Sequence, residues 1–394
     1  MKQSMSWITN ELDALRKQGI FRELSIVDGP QAPRTVINGK MVINLASNNY
    51  LNLTTHPKVV EAAIEATKKY GAGAGAVRTI IGTLRLHREA ELKLAQFKGV
   101  EDTIIYQSGF TANLGTIQAL VGRDDLIFSD QLSHASIIDG CRLSRAEIIV
   151  YNHNDPKSLE EKLEQSKGRD CKKLVATDSV FSMDGDIAPL PQLVDVAEKY
   201  GCMFMVDDAH ASGVLGKNGR GSIDHFNLHG RVGVQMGTLS KAIGVMGGYI
   251  AGSRDLIQYL WHRSRPFLFS TAHPPAVPAA VMAVIDVLKN EPEIVERLWS
   301  NVGFWKKELK NLGFDTGRSV TPITPVIVGD EALTMKFSDK LFEYGVFAQG
   351  IVFPTVPRGT GRVRTIVTTG HTKDILGQAL DAFKKAGKEL GIIK

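Results

Sequence analysis

Hydrophobic positions change their period along this chain, and the changes divide it. Over residues 5–18, Met5, Ile8, Leu12 and Leu15 recur at three- and four-residue intervals, which predicts an amphipathic helix leading into an irregular arm. Residues 36–45 hold two short apolar runs around Asn38-Gly39, a dipeptide suited to a β-hairpin turn. Over 56–70, Val59, Val60, Ala63 and Ile64 return to helical spacing, and the Gly71-Ala-Gly-Ala-Gly75 run ends that helix and permits a tight loop. From about residue 100, short apolar runs at 103–106, 126–128, 148–151, 174–178, 203–206, 233–236 and 248–251 predict buried strands, with helices such as 155–164 and 192–200 between them. This alternation predicts βαβ units and a largely parallel sheet covered on both faces, with ligands at the carboxyl ends of the strands. Beyond the helical run at 275–289 the pattern changes to a long helix over 291–312, short strands at 324–328, 345–348 and 362–366, and helices over 332–344 and 372–390. The expected division is an N-terminal helix and arm (1–50), a large α/β domain (51–288) and a smaller C-terminal α+β domain (289–394).

Composition narrows the function classes. Of the 394 residues 43% are hydrophobic and 23% charged, which is ordinary for a globular chain. A net charge of +5 without a basic block gives no reason to expect nucleic acid as a partner. Cys141, Cys171 and Cys202 form no C-x-x-C pair, so neither a disulfide framework nor a zinc site is expected. Residues 1–6 hold no apolar leader, and the longest apolar stretch, 276–288, is broken by Pro278 and Asp286 and falls short of the roughly 20 residues a membrane span needs. A cytoplasmic protein without a membrane partner is the expectation.

The local signal richest in chemistry is Gly237-Thr-Leu-Ser-Lys241-Ala-Ile-Gly244-Val-Met-Gly247-Gly248, a lysine wrapped in small residues after a predicted strand. Glycines allow close backbone approach, the hydroxyls of Thr238 and Ser240 can bond a phosphate, and a lysine sheltered from water can lose its proton and attack a carbonyl. Next comes Met203-Phe-Met-Val-Asp207-Asp208-Ala-His210, an apolar strand ending in two carboxylates and an imidazole. Asp207 can simply cap the next turn, or join His210 at a metal; the pair also suits a protonated heterocyclic nitrogen and a ring oxygen, as a pyridinium cofactor demands. Gln107-Ser108-Gly109-Phe110-Thr111-Ala112-Asn113 reads as a strand-to-helix junction, either a plain N-cap or a phosphate site on free backbone N–H groups. The glycine run at 71–75 follows a helix rather than a strand, which rules it out as a dinucleotide fingerprint. His134 is either a core histidine or a ring stacked on a flat cofactor; Ser182 either starts a turn or donates from a strand end. Arg364 forms either an ion pair or a clamp on a substrate carboxylate.

Taken in order, the Ser-Gly-Phe turn, the histidine, the strand ending in Asp-x-x-His and the lysine resemble the α-oxoamine synthases, over nearly the whole chain. Ala46-Ser-Asn-Asn-Tyr-Leu51, Phe353-Pro-Thr-Val and Gly361-Arg-Val-Arg364 extend the likeness. The resemblance implies a pyridoxal 5'-phosphate (PLP) enzyme of fold type I, an acyltransferase joining an amino acid to an acyl-CoA in a homodimer with shared active sites. Residue by residue, it makes Lys241 the catalytic lysine that holds the cofactor, Asp207 the partner of the ring nitrogen, and His134 the stacked ring. It gives Ser182 and His210 to the phenolic oxygen, and Ser108, Gly109, Phe110 and Thr238 to the phosphate, with Ser270 and Thr271 reaching in from a second subunit. Asn48 and Arg364 bind the amino-acid carboxylate, and His210 steadies the developing oxyanion. No metal is implied. Within the family, Val77-Arg-Thr-Ile-Ile-Gly-Thr83, Ser133-His-Ala-Ser-Ile-Ile-Asp-Gly140 and Arg265-Pro-Phe-Leu-Phe-Ser-Thr271 are similar to the glycine C-acetyltransferases, which join glycine to acetyl-CoA. Arg78, Ile80 and Ile81 then narrow the amino-acid pocket. The alternatives are the branch that joins alanine to a pimeloyl thioester with loss of carbon dioxide, and a relaxed enzyme; the cofactor motifs are common to all three. A non-catalytic metal- or nucleotide-binding protein leaves the Lys241 motif without a purpose. Asn52, Ala211, His273 and Gly370 depart from the family pattern, which often has Gly, Gly, an apolar residue and Ala there.

Overall fold

A computed structural model describes residues 5–17, 21 and 23–394. The first predicted helix is Ser6–Lys17, with no side chain buried; residue 18 and residues 1–4 lie outside the described residues. Asn38 and Gly39 both take positive φ, 50° and 76°, as a tight hairpin turn requires, and join β1 (Arg34–Ile37) to β2 (Lys40–Asn44).

Seven strands form the central sheet: β3 (Asp102–Tyr106), β4 (Leu126–Asp130), β5 (Glu147–Tyr151), β6 (Lys173–Asp178), β7 (Met203–Asp207), β8 (Val234–Thr238) and β9 (Gly248–Gly252). Each contains or overlaps one predicted run. The order is β3-β9-β8-β7-β6-β4-β5, parallel except for β9, which runs against both neighbours. One expectation needs correction: β5 is not buried. It is the sheet edge, with Ile148 38% and Val150 52% exposed, because β-branched residues suit extended backbone at an edge as well as in a core.

Helix Arg85–Lys98 turns inward a mixed face of apolar and ionic side chains. His87, Glu91 and Lys98 are buried on it beside Ala90, Leu94, Ala95 and Phe97. Glu91, wholly buried, receives both guanidinium nitrogens of Arg78 at 2.9 and 3.0 Å, Arg88 at 2.6 Å and the Ile105 N–H at 3.1 Å. Burial alone raises the Glu91 carboxyl, but the two arginines outweigh it and hold it below its ordinary value.

The C-terminal part is built on the antiparallel strands β10 (Ile323–Gly329), β12 (Gln349–Ile351) and β13 (Gly361–Ile366), in the order β10-β13-β12. The strand expected at 345–348 is divided: β11 (Val346–Phe347) pairs in parallel with β2, and the chain then crosses into β12. Helices Glu293–Asn311, Glu331–Glu343 and Lys373–Glu389 complete this part. Fully buried Trp305 packs edge-on against Phe383, and its Nε1 donates to Thr365 Oγ1 at 2.9 Å. Among the described residues no helix is long and apolar enough to cross a membrane.

Replacing Glu91 by Ala strands the buried Arg78 cation, and a loss of about 3–5 kcal/mol in unfolding free energy is expected from urea titration. Because the folded carboxyl titrates below its unfolded value, its stabilisation is present at neutral pH. It disappears as pH falls through the folded-state titration.

Candidate active site

The carboxyl ends of β3, β4, β6, β7 and β8 open into one cavity of about 230 Å³. Ser108 and Gly109 follow β3, His134 and Ser136 follow β4, Asp178 ends β6, Asp207 ends β7 with Ala209 and His210 beyond it, and Thr238 and Lys241 belong to β8 and the turn after it. Residues spread over more than 130 positions therefore meet because parallel strands all end at one edge.

At β3, Ser108 caps helix Gly109–Leu120: its Oγ accepts from Thr111 N at 3.1 Å, while Thr111 Oγ1 accepts from Ser108 N at 3.0 Å. First-turn N–H groups have no intrahelical partner and carry the positive end of the helix dipole, so this turn suits a phosphate. Backbone packing there leaves no room for side chains. A Cβ on Gly109 would lie 2.8 Å from Met236 Cε, and one on Gly248 2.5 Å from Gly109 N. Thr238 Oγ1, 2.8 Å from Ser240 Oγ, lies on the same side.

Asp207 is 3% exposed and takes two donors, Ala209 N to Oδ1 at 2.8 Å and Asn113 Nδ2 to Oδ2 at 2.7 Å. It does cap the turn, and it also presents a charged carboxylate to the cavity. Lys241 is half-buried. Loss of hydration pulls its ammonium down to about 8, opposed by Asp207 and Asp178 and assisted by Arg364. Burial, then the Asp207 charge, holds the Asp178 carboxyl well above its ordinary value; it accepts the backbone N–H of His134 at 2.9 Å.

His210 Nδ1 lies 2.7 Å from the hydroxyl of Tyr50, a residue the motifs did not single out. Burial raises the Tyr50 phenol, so it keeps its proton and can donate it to His210 Nδ1. His210 is driven well below its usual value by burial, then by Lys241 and Arg364, so the ring is neutral; with Tyr50 donating to Nδ1, its own proton sits on Nε2. Arg364 reaches the Asn48 Oδ1 at 3.2 Å, uniting the two residues expected to hold a carboxylate. Among the described residues Arg364 has no carboxylate partner and its buried Nε is unpaired, while Tyr50 shares the guanidinium. A guanidinium without a carboxylate partner suits a ligand carboxylate.

Other expected residues fall elsewhere. Ser182 lines an adjoining cavity of about 200 Å³ with Asp184, Thr355 and Arg362, where Arg362 pairs with Asp184 at 2.6 Å. Ser270 and Thr271 lie outside this chain's own cavity, Thr271 bridging to Val77. Arg78 is held by Glu91 and lines a separate cavity with Trp261 and Phe267, not the one at the strand ends, and Ile80 and Ile81 face outward, 80% and 79% exposed. Among the family departures, Asn52 has φ 54°, a conformation that Gly and Asn tolerate. A Cβ on Gly370 would meet Asn52 Cγ at 3.0 Å and Pro33 Cγ at 2.6 Å, so the smaller residue at 370 makes room for the larger one at 52. Buried His273, held neutral by a pKa pulled down to about 4, leaves its Nε2 unpaired; burial is the main cause, followed by His87 and Arg78.

A family model for aminotransferases of class I and II matches residues 40–383, and the chain belongs to this family of PLP-dependent enzymes. Its nearer relatives are α-oxoamine synthases, and this enzyme is one of that type. It is 59% identical to an 8-amino-7-oxononanoate synthase of Symbiobacterium thermophilum over 387 residues, covering 98% of this chain and 99% of the relative. A second, from Thermoanaerobacter pseudethanolicus, is 58% identical over 389 residues, 99% of this chain and 98% of the relative. A serine palmitoyltransferase from S. paucimobilis, solved with bound PLP and myriocin, superposes over all of both chains with a TM-score of 0.93 at 33% identity. These findings bear out the family, the fold and the cofactor, and they overturn glycine C-acetyltransferase as the branch. The glycine-lined phosphate turn, the buried Asp207 anion and the water-poor lysine fit PLP.

Only the unprotonated amine of Lys241 attacks an aldehyde, so the rate at which cofactor-free protein takes up PLP is expected to rise with pH through a midpoint near 8. Asp207→Asn removes a charge that favours the ammonium and shifts that midpoint lower. A stopped-flow absorbance series across pH checks both.

Proposed function

We propose that the enzyme joins L-alanine to a pimeloyl thioester, releasing carbon dioxide and the thiol and forming 8-amino-7-oxononanoate. The observation that carries this reading is the 58–59% identity, over nearly entire chains, to relatives bearing that name. PLP, when bound, supplies an electron sink for the alanine α-carbon. The chain's residues do the rest. Asp207 keeps the ring nitrogen charged, His134 stacks on the ring, and His210 serves the phenolic oxygen. Ser108, Gly109, Phe110 and Thr238 hold the phosphate. Arg364 and Asn48 receive the alanine carboxylate and fix which α-substituent stands where Lys241 Nζ can remove a proton. The neutral His210 Nε2–H is a donor suited to the oxyanion that develops on the thioester carbonyl.

The acyl donor in this reading is the CoA ester, and the working form is a homodimer in which Ser270 and Thr271 complete the partner's phosphate site. Exposed Ile80, Ile81 and Phe269, the last 70% exposed, supply an apolar surface for that contact.

Purified PLP-loaded enzyme should be given alanine, glycine or serine in combination with pimeloyl-CoA or acetyl-CoA, with thiol release followed and products identified by mass. Alanine with pimeloyl-CoA is expected to dominate; glycine with acetyl-CoA dominating overturns the proposal. Arg364→Ala is expected to raise the alanine KM by roughly 10- to 100-fold, the worth of a charge-assisted hydrogen bond. Lys241→Ala is expected to lower kcat by on the order of a thousandfold.

A further inference from the structure

Asn113, wholly buried on helix Gly109–Leu120, commits both amide protons: Nδ2 donates to Asp207 Oδ2 at 2.7 Å and to Ser136 Oγ at 2.8 Å. Its carbonyl Oδ1 is buried without a partner among the described residues. A buried unpaired acceptor costs about 1–3 kcal/mol. Rotating the amide by half a turn gives no relief, because it would set Oδ1 against a carboxylate oxygen, two acceptors face to face. The side chain is thus held in place for its two donors.

Direction then passes along the chain of bonds. Ser136 Oγ accepts from Asn113, which leaves its own proton for His134 Nδ1, 2.7 Å away. The backbone N–H of Ser136 points at the same nitrogen at 3.2 Å. Nδ1 is therefore an acceptor, and the proton of the neutral ring sits on Nε2. At the other end, both Asp207 oxygens face donors, Asn113 and Ala209 N, an arrangement that favours the anion. The charged and titratable groups that act on His134 are Asp207, which favours the imidazolium, and Lys241, which opposes it; Asp178 at the end of β6, which accepts the His134 backbone N–H, and His210 beyond β7 also face it. Burial adds to the opposition and is the largest influence. A cationic His134 would repel a protonated ring stacked on it. An Asp207 charge that recruited a proton onto His134 would defeat its own purpose.

We propose that Asn113 is a positioning residue which, through Ser136, sets two walls of the ring site together: Asp207 as an anion and His134 as the neutral Nε2–H tautomer. This rests on the cavity being the PLP site and is independent of which amino acid or acyl donor is used. Histidine-selective ¹⁵N NMR of the full-length protein, with and without PLP, tests it, the His134 signals being assigned by their loss in His134→Gln. Wild-type protein is expected to show one neutral Nε2–H form between pH 6 and 8. Ser136→Ala removes a donor to Nδ1, so a tautomer mixture and a titration midpoint higher by about one unit are expected. Asn113→Asp draws the Ser136 proton to itself and crowds Asp207 with a like charge. It moves His134 in the same direction and weakens PLP binding by about tenfold. His134 spectra unchanged in the variants, or a wild-type ring that is cationic or protonated on Nδ1, overturn the relay. If Asn113→Asp does not fold, Ser136→Ala, which loses one oxygen, decides alone. A wild-type protein that takes up no PLP overturns the reading of the cavity itself, an outcome separate from an unchanged His134.

Discussion

One buried charge arranges the centre of this molecule. Asp207 ends a middle strand of the sheet, almost wholly enclosed, and a carboxylate there is tolerable only with donors on its oxygens. One donor is the turn after β7, and the other is Asn113 on the helix after β3, itself bonded to Ser136 at the start of the helix after β4. A single anion thereby fixes three strand-to-helix junctions relative to one another. Its field reaches further, raising the neighbouring Asp178 carboxyl and restraining the fall of the Lys241 ammonium. Fold and chemistry share this constraint: the same oxygens that align the strand ends are the ones a ring cation needs.

Much of that frame is legible in the sequence because it is periodic or local. Parallel strands buried on both faces appear as short apolar runs, a hairpin as Asn-Gly, and the lysine turn as a cluster of small residues around one amine. What stayed hidden shares a different property. Tyr50 and Asn113 stand inside recognisable motifs, but Tyr50 meets His210 160 positions away and Asn113 meets Asp207 94 positions away, so the motifs gave no sign of their partners. Helix Arg85–Lys98 shows a weaker pattern for the complementary reason: buried His87, Glu91 and Lys98 interrupt the apolar stripe of its inward face. Apolar content misled at β5, whose β-branched residues serve an edge.

The likeness to the glycine C-acetyltransferases has a structural origin. The three segments that resembled glycine C-acetyltransferases are scaffold. Arg78 in the first is locked to Glu91, the second forms the helix start that carries His134 and Ser136, and the third is a short helix leading to the Val77–Thr271 bridge. Such segments support a cofactor common to the family and say little about the acyl chain. Selectivity among acyl donors has to come from surfaces whose sequence is not fixed by the cofactor.

The short parallel pair between β2 and β11 has a consequence for how the chain is made. Its two strands lie about 300 residues apart, so the ends meet only after a long loop is closed. During synthesis the first hairpin leaves the ribosome with one edge unsatisfied and must wait for most of the polypeptide before that edge is covered. Asn48 and Tyr50 follow this hairpin directly, and Arg364 comes later still, so the contact between Arg364 and Asn48 is among the last to be assembled. A nascent chain truncated before residue 346 holds the lysine turn and the Asp207 strand while that contact is still absent.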